Sequence, residues 1–332
     1  MKKTGRITII MILLALSALS LSAKPLEIKI GSPAPKGSPW DDALKKIAAE
    51  WKDISGGQVT VTIYPGGIAG NESDMLRKMR TNNLQAGVFT SLGLNQIYQD
   101  TLALSIPFLI QSDKEFDRVL EKVGPGLEAD IEKSGFKVVA WTNVGWLHFF
   151  GKRPIITPDD LKRQKMAASD SDAAMAQAFK NLGFNTVPLS NNEVMPALSS
   201  GMVEACYAIP LAAAAYQWFG IANNMNGIPF SPVMGAIVLS DRAWKRVPEN
   251  IRGELMASAR GAALEMSKQV TKLESDAMKI MLANGLVVNP VPVGVKEQWE
   301  KEFSRGFEMI VGSTFSRDIY DRINQVLAEY RR

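Results

Sequence analysis

The spacing of hydrophobic and polar residues predicts alternating strands and helices from residue 26 onward. Apolar and polar residues alternate with period two in 26–30 and 59–63, which is typical of strands with one buried face. Between them, apolar residues recur at helical spacing in 43–51, and a further helix is predicted to begin near 71–74, before a buried strand at 86–90. Because strands and helices alternate, we expect a mostly parallel α/β sheet.

The second half of the chain repeats this alternation and adds one unusually long helix. A strand is predicted at 137–141, a helix at 174–182 with Ser171 as its N-cap, and a buried strand at 233–239. A helical pattern then runs from 248 to 285. A helix of about 35 residues is roughly 50 Å long, which exceeds the width of one small lobe, so we expect it to span two lobes. Two shorter helical patterns close the chain.

The N-terminus has the pattern of a secretory signal peptide. Basic Lys2, Lys3 and Arg6 precede an apolar run at 7–21, and small residues follow at 22–23. An apolar run of about 15 residues is shorter than the roughly 20 that span a bilayer, so a retained membrane anchor is the weaker alternative. No cysteine lies near the cleavage site for lipid attachment. We therefore predict that residues 1–23 are removed and that the mature protein is exported.

Charge and composition exclude several classes of protein. The whole chain has 38 basic and 34 acidic residues, but the predicted signal peptide carries three of the basic residues and no acidic one. The mature chain is therefore nearly neutral, which argues against a nucleic-acid partner or an anionic membrane surface. With one histidine and one cysteine, Cys206, the chain offers neither a disulfide framework nor a Cys- or His-rich metal site. We expect no cofactor.

The residues carry no catalytic motif. The sequence contains no Gly-x-Ser-x-Gly elbow, phosphate-binding loop, His-Glu-x-x-His or Cys-x-x-Cys. His148 lies between apolar neighbours and is interpreted as structural, and the carboxylate pairs Asp159/Asp160 and Asp170/Asp172 suit helix starts better than acid-base chemistry. An exported, two-lobed α/β protein without catalytic residues is best interpreted as a non-enzymatic binding protein whose ligand lies between the lobes.

Five segments in order give the chain a resemblance to a known family. They are GSPAPKGSPW at 31–40, YPGGIAGNE at 64–72, PFL at 107–109, KRPIITPDDL at 152–161 and NEVMPALSSGMVE at 192–204. Together they resemble the DctP-like periplasmic solute-binding proteins of tripartite ATP-independent periplasmic (TRAP) transporters. The resemblance covers nearly the whole mature chain.

The resemblance implies a two-lobed periplasmic-binding-protein-like fold with crossing hinge strands and a long helix shared by both lobes. We expect lobe I to comprise 24–140 and about 232–265, and lobe II about 141–231 and 266–332. It also implies a periplasmic location and ligand delivery to membrane permease subunits. Some transporters of this family have an additional helical-repeat partner, which is a further expected partner.

The family's ligand-binding arginines are missing from the corresponding positions. The typical pattern Asp-Leu-Lys-Gly-x-Lys-x-Arg aligns with 160–167, where Ala167 replaces the carboxylate-binding arginine. Many members have a Gly-x-Arg segment that aligns with 145–147, so Leu147 stands where they have arginine. The family's asparagine before a proline aligns with Ile209. Rescue by Arg163, at the family's glycine position, is an open alternative, as is rescue by Lys165.

These replacements predict a mainly hydrophobic cleft, because a carboxylate buried without a partner loses several kcal/mol of solvation. An alternative is that some of the predicted ligand-binding residues belong to the hydrophobic core and do not line a cleft. The predicted ligand-binding residues are Pro33, Phe89, Thr90, Trp146, Leu147, Ala167, Asp170, Tyr207 and Ile209.

Two other hypotheses remain open. The chain could be an organic-acid binder that uses a non-standard cation, with candidates Lys152, Arg153, Arg163 and Lys165. It could also be an interaction protein that docks to another periplasmic component and passes an apolar ligand onward. The leading expectation is a small, apolar ligand, either lipid-like or aromatic.

Overall fold

One mixed β-sheet runs through both halves of the molecule. A computed structural model describes residues 25–170 and 172–332, so the predicted signal peptide and Ser171 lie outside the described residues. The strands are β1 (Leu26–Gly31), β2 (Val59–Tyr64), β3 (Ala86–Thr90), β4 (Phe136–Gly151), β5 (Met166–Ser169), β6 (Thr186–Leu189), β7 (Ala205–Ala208), β8 (Asn224–Asn226), β9 (Ser231–Ser240) and β10 (Val287–Asn289). Their order is β2-β1-β3-β9-β4-β7-β5-β6, with β8 pairing β4 and β10.

Helices cover both faces of this sheet. They are α1 (Pro39–Ile54), α2 (Glu72–Arg80), α3 (Ser91–Ile97), α4 (Asp113–Lys133), α5 (Pro158–Lys162), α6 (Ala173–Asn181), α7 (Asn191–Ser200), α8 (Pro210–Ala215), α9 (Asp241–Trp244), α10 (Glu249–Ala283), α11 (Val293–Glu308) and α12 (Arg317–Tyr330), with 3-10 turns at Gln99–Ser105 and Trp218–Gly220. Within the described ranges, no helix is both long and apolar enough to cross a membrane.

The first lobe confirms the strand and helix order predicted from the N-terminal pattern. Strands β2, β1 and β3 are parallel, as alternating strands and helices require. Asn71 caps α2 by accepting a hydrogen bond from the backbone N–H of Asp74. The helix α4 was not predicted, although Ser112 caps it and its buried residues recur at helical spacing.

Two antiparallel strands, β4 and β9, cross from the first lobe to the second. They pair from Phe136 opposite Ser240 to Leu147 opposite Ser231, with register shifts between Val138 and Ala140 and between Asn143 and Gly145. The last four residues of β4 then pair with β7 in the second lobe. Strand β4 is therefore much longer than the predicted segment 137–141 and belongs to both lobes.

The predicted long helix is confirmed as α10, which has 35 residues. In the first lobe it packs against α1, where the indole N–H of Trp51 donates to the carbonyl oxygen of Leu255 at 2.9 Å. Small buried residues, Ala259, Ala262 and Ala263, allow this close approach. Farther along, α10 packs against α8 in the second lobe. The helix therefore spans both lobes beside the crossing strands.

The second lobe contains the parallel strands β7, β5 and β6. Its α6 begins after Asp172, whose side chain accepts a hydrogen bond from the backbone N–H of Met175, so Asp172 caps this helix. The C-terminal α12 packs against α4 of the first lobe, and Arg331 forms an ion pair with Glu115 there. This packing differs from the predicted boundaries, which assigned 266–332 to the second lobe.

Candidate functional site

The two lobes meet where several strands end. Strand β3 ends at Thr90 in the first lobe and β5 ends at Ser169 in the second, and ligands of open α/β sheets bind outside such carboxyl ends. A cavity of about 20 Å³ separates the lobes at this point. It is lined by Ser91, Leu102, Ser105, Asp172, Met175, Phe307, Ile310, Thr314 and Phe315. In this structure the lobes are thus closely apposed, and we refer to this cavity and its walls as the inter-lobe site.

An aromatic cluster lies in the buried core near this region, and its members are not among the residues that line the inter-lobe cavity. The β4–β7 register places Phe149 opposite Tyr207, and Phe149 stacks on Phe230 with ring centroids 4.1 Å apart. The ring of Tyr207 meets Phe230 edge-on at 5.9 Å, and Phe149 also stacks on Trp299 at 5.4 Å. Such pairs add about 0.5–1.5 kcal/mol each beyond their buried area. The cluster makes this part of the core rigid and apolar.

Tyr207 contributes its hydroxyl to the end of β5. The hydroxyl oxygen accepts a hydrogen bond from the backbone N–H of Ser169 at 3.1 Å. Burial of the phenol, reinforced by the charge of Asp172, raises its pKa well above the usual range. Tyr207 therefore remains neutral and fixes the strand end that borders the lobe junction.

The first-lobe side contains Thr90, one of the predicted ligand-binding residues. Its hydroxyl and its backbone N–H donate to the carboxylate of Glu72 at 2.8 and 3.1 Å, and its hydroxyl oxygen also accepts from the N–H of Leu92 at the start of α3. Burial raises the pKa of Glu72, although the bonds from Thr90 oppose that rise. The neighbouring Phe89 is fully buried in the first-lobe core. Thr90 is thus held within its own lobe.

Asp172 was not among the predicted ligand-binding residues, yet it lines the inter-lobe site. Its side chain caps α6, and burial raises the pKa of its carboxyl group. On the opposite wall, the hydroxyl oxygen of Ser105 is buried and has no hydrogen-bond partner among the described residues. The signal for Asp172 in the sequence was the carboxylate pair Asp170/Asp172. This pattern does not distinguish an aspartate that caps a helix from one that lines a cavity.

The hinge residues Trp146 and Leu147 lie on opposite faces of β4, because side chains alternate along a strand. Leu147 packs against the same hydrophobic cluster as Phe149, and its carbonyl accepts the N–H of Phe230 at 2.9 Å. Trp146 also packs against this cluster, and its indole N–H donates to Asp113 at 2.8 Å. Both residues therefore adjoin the same core, and Trp146 also contacts α4.

Trp146 lines a separate hinge cavity of about 460 Å³ between α4, β4 and α10. The register shift between Asn143 and Gly145 places Trp141, Asn143 and Trp146 on one face of β4, opposite alternate residues of β9. Ile209 borders this region, since its Cγ2 lies 3.3 Å from the position that a β-carbon on Gly145 would occupy.

The remaining predicted site residues lie elsewhere. Ala167 is only 4% exposed and belongs to the second-lobe core with Phe150 and Cys206, so it does not form an open wall. Pro33 is exposed in the loop after β1. Asp170 is exposed and lines a surface depression beside Lys180.

The two candidate arginines have partners away from the inter-lobe site. Arg163 pairs with Asp160 at 2.5 Å and Arg153 with Glu204 at 3.2 Å. Both arginines precede β5, whereas the lobe junction follows its other end. The described residues that line the inter-lobe cavity include no lysine or arginine.

His148 is structural, as its neighbours in the sequence suggest. Its Nδ1 lies 3.1 Å from the carbonyl oxygen of Asn226, and burial lowers its pKa, which favours the neutral ring. No group of three or more His, Cys, Asp or Glu side chains in 25–170 and 172–332 is arranged to hold a metal ion.

Two lobes joined by crossing strands and a shared helix, with a site at their junction, define a two-lobed solute-binding protein of the transport class. The sequence profile described as bacterial extracellular solute-binding protein, family 7 (DctP), matches residues 30–310, and the chain belongs to this family. This confirms the resemblance and the fold class.

Relatives cover nearly the full chain at low identity. The 2,3-diketo-L-gulonate-binding periplasmic protein YiaO of Escherichia coli is 27% identical over 314 residues, 92% of each chain. A TRAP periplasmic solute-binding protein from Ochrobactrum anthropi, solved with its C-terminus in the ligand-binding pocket, has a TM-score of 0.84 and 20% identity, covering 93% of this chain and 96% of that one. Another, from Chromohalobacter salexigens with bound D-glucuronate, has a TM-score of 0.80 and 18% identity, covering 91% and 99%.

Proposed function

We propose that this protein is the periplasmic solute-binding component of a TRAP-type transporter, which captures a small, mainly apolar ligand between its lobes and delivers it to membrane permease subunits. It performs no catalysis. The family supports the transport role and the periplasmic location. The observation that supports an apolar ligand is the lobe junction itself, where an aromatic cluster adjoins a cavity lined without lysine or arginine.

The relatives make an organic acid the principal alternative. The Chromohalobacter protein holds D-glucuronate and the Escherichia relative is named for a sugar acid. A buried carboxylate needs a charged partner, since its desolvation costs several kcal/mol. In this chain Arg153 and Arg163 are engaged beyond the opposite end of β5, which disfavours them as that partner.

An apolar ligand gains about 25 cal/mol for each Å² that it removes from water, without needing a cation. Leu102, Met175 and Phe307, which line the inter-lobe cavity, would supply this contact when the lobes close on the ligand. The third hypothesis, an interaction protein with a helical-repeat partner, stays a prediction.

The first experiment compares probes of opposite polarity. Purified mature protein would be titrated with 1-octanol and with D-glucuronate, following tryptophan fluorescence and calorimetry, and molecules that co-purify with it would be identified by mass spectrometry after denaturation. We expect octanol to bind and D-glucuronate to bind at least about 100-fold more weakly, because an unpaired buried carboxylate costs several kcal/mol.

A matched pair of variants tests the location. Leu147→Arg should weaken octanol binding, since it places a charge against the aromatic cluster. Leu282→Arg makes the same change at an exposed position on α10 and should leave binding unchanged. Tighter binding of D-glucuronate than of octanol by the unmodified protein would contradict the proposed apolar ligand.

A further inference from the structure

Asp172 makes the inter-lobe site acidic. Of the described residues that line this cavity, Asp172 alone is ionisable. It comes from the second lobe, whereas Ser91 and Ser105 line the same cavity from the first. A ligand enclosed by both lobes at this point therefore meets this carboxyl group.

Among the residues that the structure describes, no basic side chain is hydrogen-bonded to Asp172 or shifts the pKa of its carboxyl group. The carboxyl group accepts the N–H of Met175 at 3.0 Å, and the interactions that act on its ionisation are its own burial and this single backbone bond. The nearby phenol of Tyr207 is neutral. A desolvated carboxylate without a cation is unfavourable, and a positive group brought to it removes that cost.

A second buried carboxyl group reinforces the same sign. Glu72 is bound by the hydroxyl and N–H of Thr90, the residue directly before Ser91. Its hydrogen-bond donors are uncharged, like the donor to Asp172. An acidic ligand between Ser91 and Asp172 would thus add a third negative group to two that lack a cation.

We propose that Asp172 selects the ligand by charge, so that the inter-lobe site takes an apolar molecule bearing a basic nitrogen and rejects the acid with the same skeleton. This proposal rests on the proposed function and narrows its ligand class to apolar amines. Hydrophobic contact with the apolar cavity lining, which includes Leu102, Met175 and Phe307, holds the skeleton, and Asp172 pairs with the ammonium group. The unpartnered hydroxyl of Ser105 lines the same cavity from the opposite wall and is an acceptor for a second N–H.

The test uses three probes of equal chain length: octylamine, 1-octanol and octanoate. Calorimetry with the unmodified mature protein at pH 7 should give the affinity order amine, alcohol, acid. One charge pair at close range is worth one to three pKa units, so we expect octylamine to bind at least about tenfold more tightly than octanol, and octanoate at least about tenfold more weakly.

Asp172→Asn is the informative variant, because asparagine caps helices as well as aspartate and keeps nearly the same shape. It should bring the affinities for octylamine and octanol to within about threefold of each other. Asp170→Asn removes an exposed carboxylate two residues away and should leave the preference for amine intact. Circular dichroism would confirm that both variants fold.

The outcomes separate the two proposals. If octanol binds and octanoate binds as tightly as octylamine, the charge proposal is overturned while the apolar site stands. The same holds if Asp172→Asn folds and keeps the full preference for amine. If D-glucuronate binds in preference to all three probes, or if none of the three binds, the proposed apolar function fails and the charge proposal fails with it.

Discussion

Among individual residues, Glu274 is the clearest example of a charge held in an unfavourable place. It lies on α10 and lines the hinge cavity, and its Oε1 is buried without a hydrogen-bond partner among the described residues. Burial, together with the negative charge of Asp113, raises its pKa from 4.5 to about 7. The folded protein therefore holds a proton on this side chain more tightly than the unfolded chain does.

This shift predicts a pH-dependent gain from Glu274→Gln. Because the folded pKa is the higher one, the ionised group destabilises the fold progressively as pH rises from about 4.5 to about 7, and the cost is complete above that window. Allowing for partial exposure, we expect the variant to raise the free energy of unfolding by about 1–2 kcal/mol at pH 8 and by little at pH 4.5. Urea denaturation at both pH values measures this.

A control on the same helix is Asp276→Asn, which removes an exposed carboxylate paired with Lys279. It should not reproduce the gain at pH 8. An equal effect of Glu274→Gln at both pH values would show that the shift is absent.

The sequence does not show which predicted site residues are core residues. Leu147 and Tyr207 were predicted to bind the ligand; they pack against the hydrophobic core near the lobe junction, and their role in binding stays a prediction. Ala167 was predicted from the alignment with the family's arginine, but in a short strand the face that a residue occupies depends on pairing, and Ala167 lies in the core. Asp172 was missed because a helix cap and a cavity-lining acid have the same sequence pattern.

At the level of helices and strands, the contact between α6 and α11 shows a glycine at which packing, rather than helix propensity, decides how replacement by alanine affects stability. A β-carbon on Gly306 of α11 would lie 2.5 Å from Cγ of Leu182, which is itself buried at the end of α6. By contrast, a β-carbon on Gly253 of α10 would meet nothing within 4 Å. The two glycines therefore differ in surroundings while sharing helical backbone.

Alanine at these positions should have opposite effects. Gly253→Ala should stabilise the protein by about 0.5–1 kcal/mol, because alanine has the higher helix propensity. Gly306→Ala gains the same propensity but overpacks the contact with Leu182, which costs about 1–3 kcal/mol, so we expect net destabilisation of about 1 kcal/mol. Chemical denaturation at one pH compares them. Stabilisation by both alanines would mean that Leu182 moves aside freely.

The length of β4 was not predictable from alternation alone. Register shifts between Val138 and Ala140 and between Asn143 and Gly145 interrupt the period of two, and the strand is partly buried on both faces where it crosses between the lobes. The pattern therefore predicted only residues 137–141 of this strand. The regular elements β1, β2, β3 and α10, in contrast, have undisturbed periods and were predicted well.

For the whole molecule, the decisive feature is a hydrophobic core that does not stop at the lobe junction. One cluster contains Phe89 and Phe116 from the first lobe and Phe149 and Phe179 from the second. Two crossing strands and α10 add continuous backbone between the lobes. The lobes are therefore coupled in stability.

We predict that the two lobes unfold together. Far-UV circular dichroism, which follows helices in both lobes, and tryptophan fluorescence should give coincident urea transitions with a single midpoint. Addition of a bound probe should shift both curves equally. Two separated transitions would contradict a shared core and would indicate that each lobe is stable alone.

The fold class and the spanning helix were predictable because they depend on long regular patterns. The location of α12 was not, since its amphipathic pattern shows that one face is buried but not which lobe covers it. Its attachment to α4 depends on contacts distant in sequence, including the ion pair of Arg331 with Glu115.

The position of β9 in the sheet affects the order in which the chain can fold as it is made. This strand lies between β3 and β4, yet in the sequence it follows most of the second lobe. While synthesis proceeds from the N-terminus, β3 and β4 cannot pair with β9 until residue 240 has been made. Pairing across so long a stretch of sequence is slow. The central sheet therefore cannot be completed until most of the chain has been made.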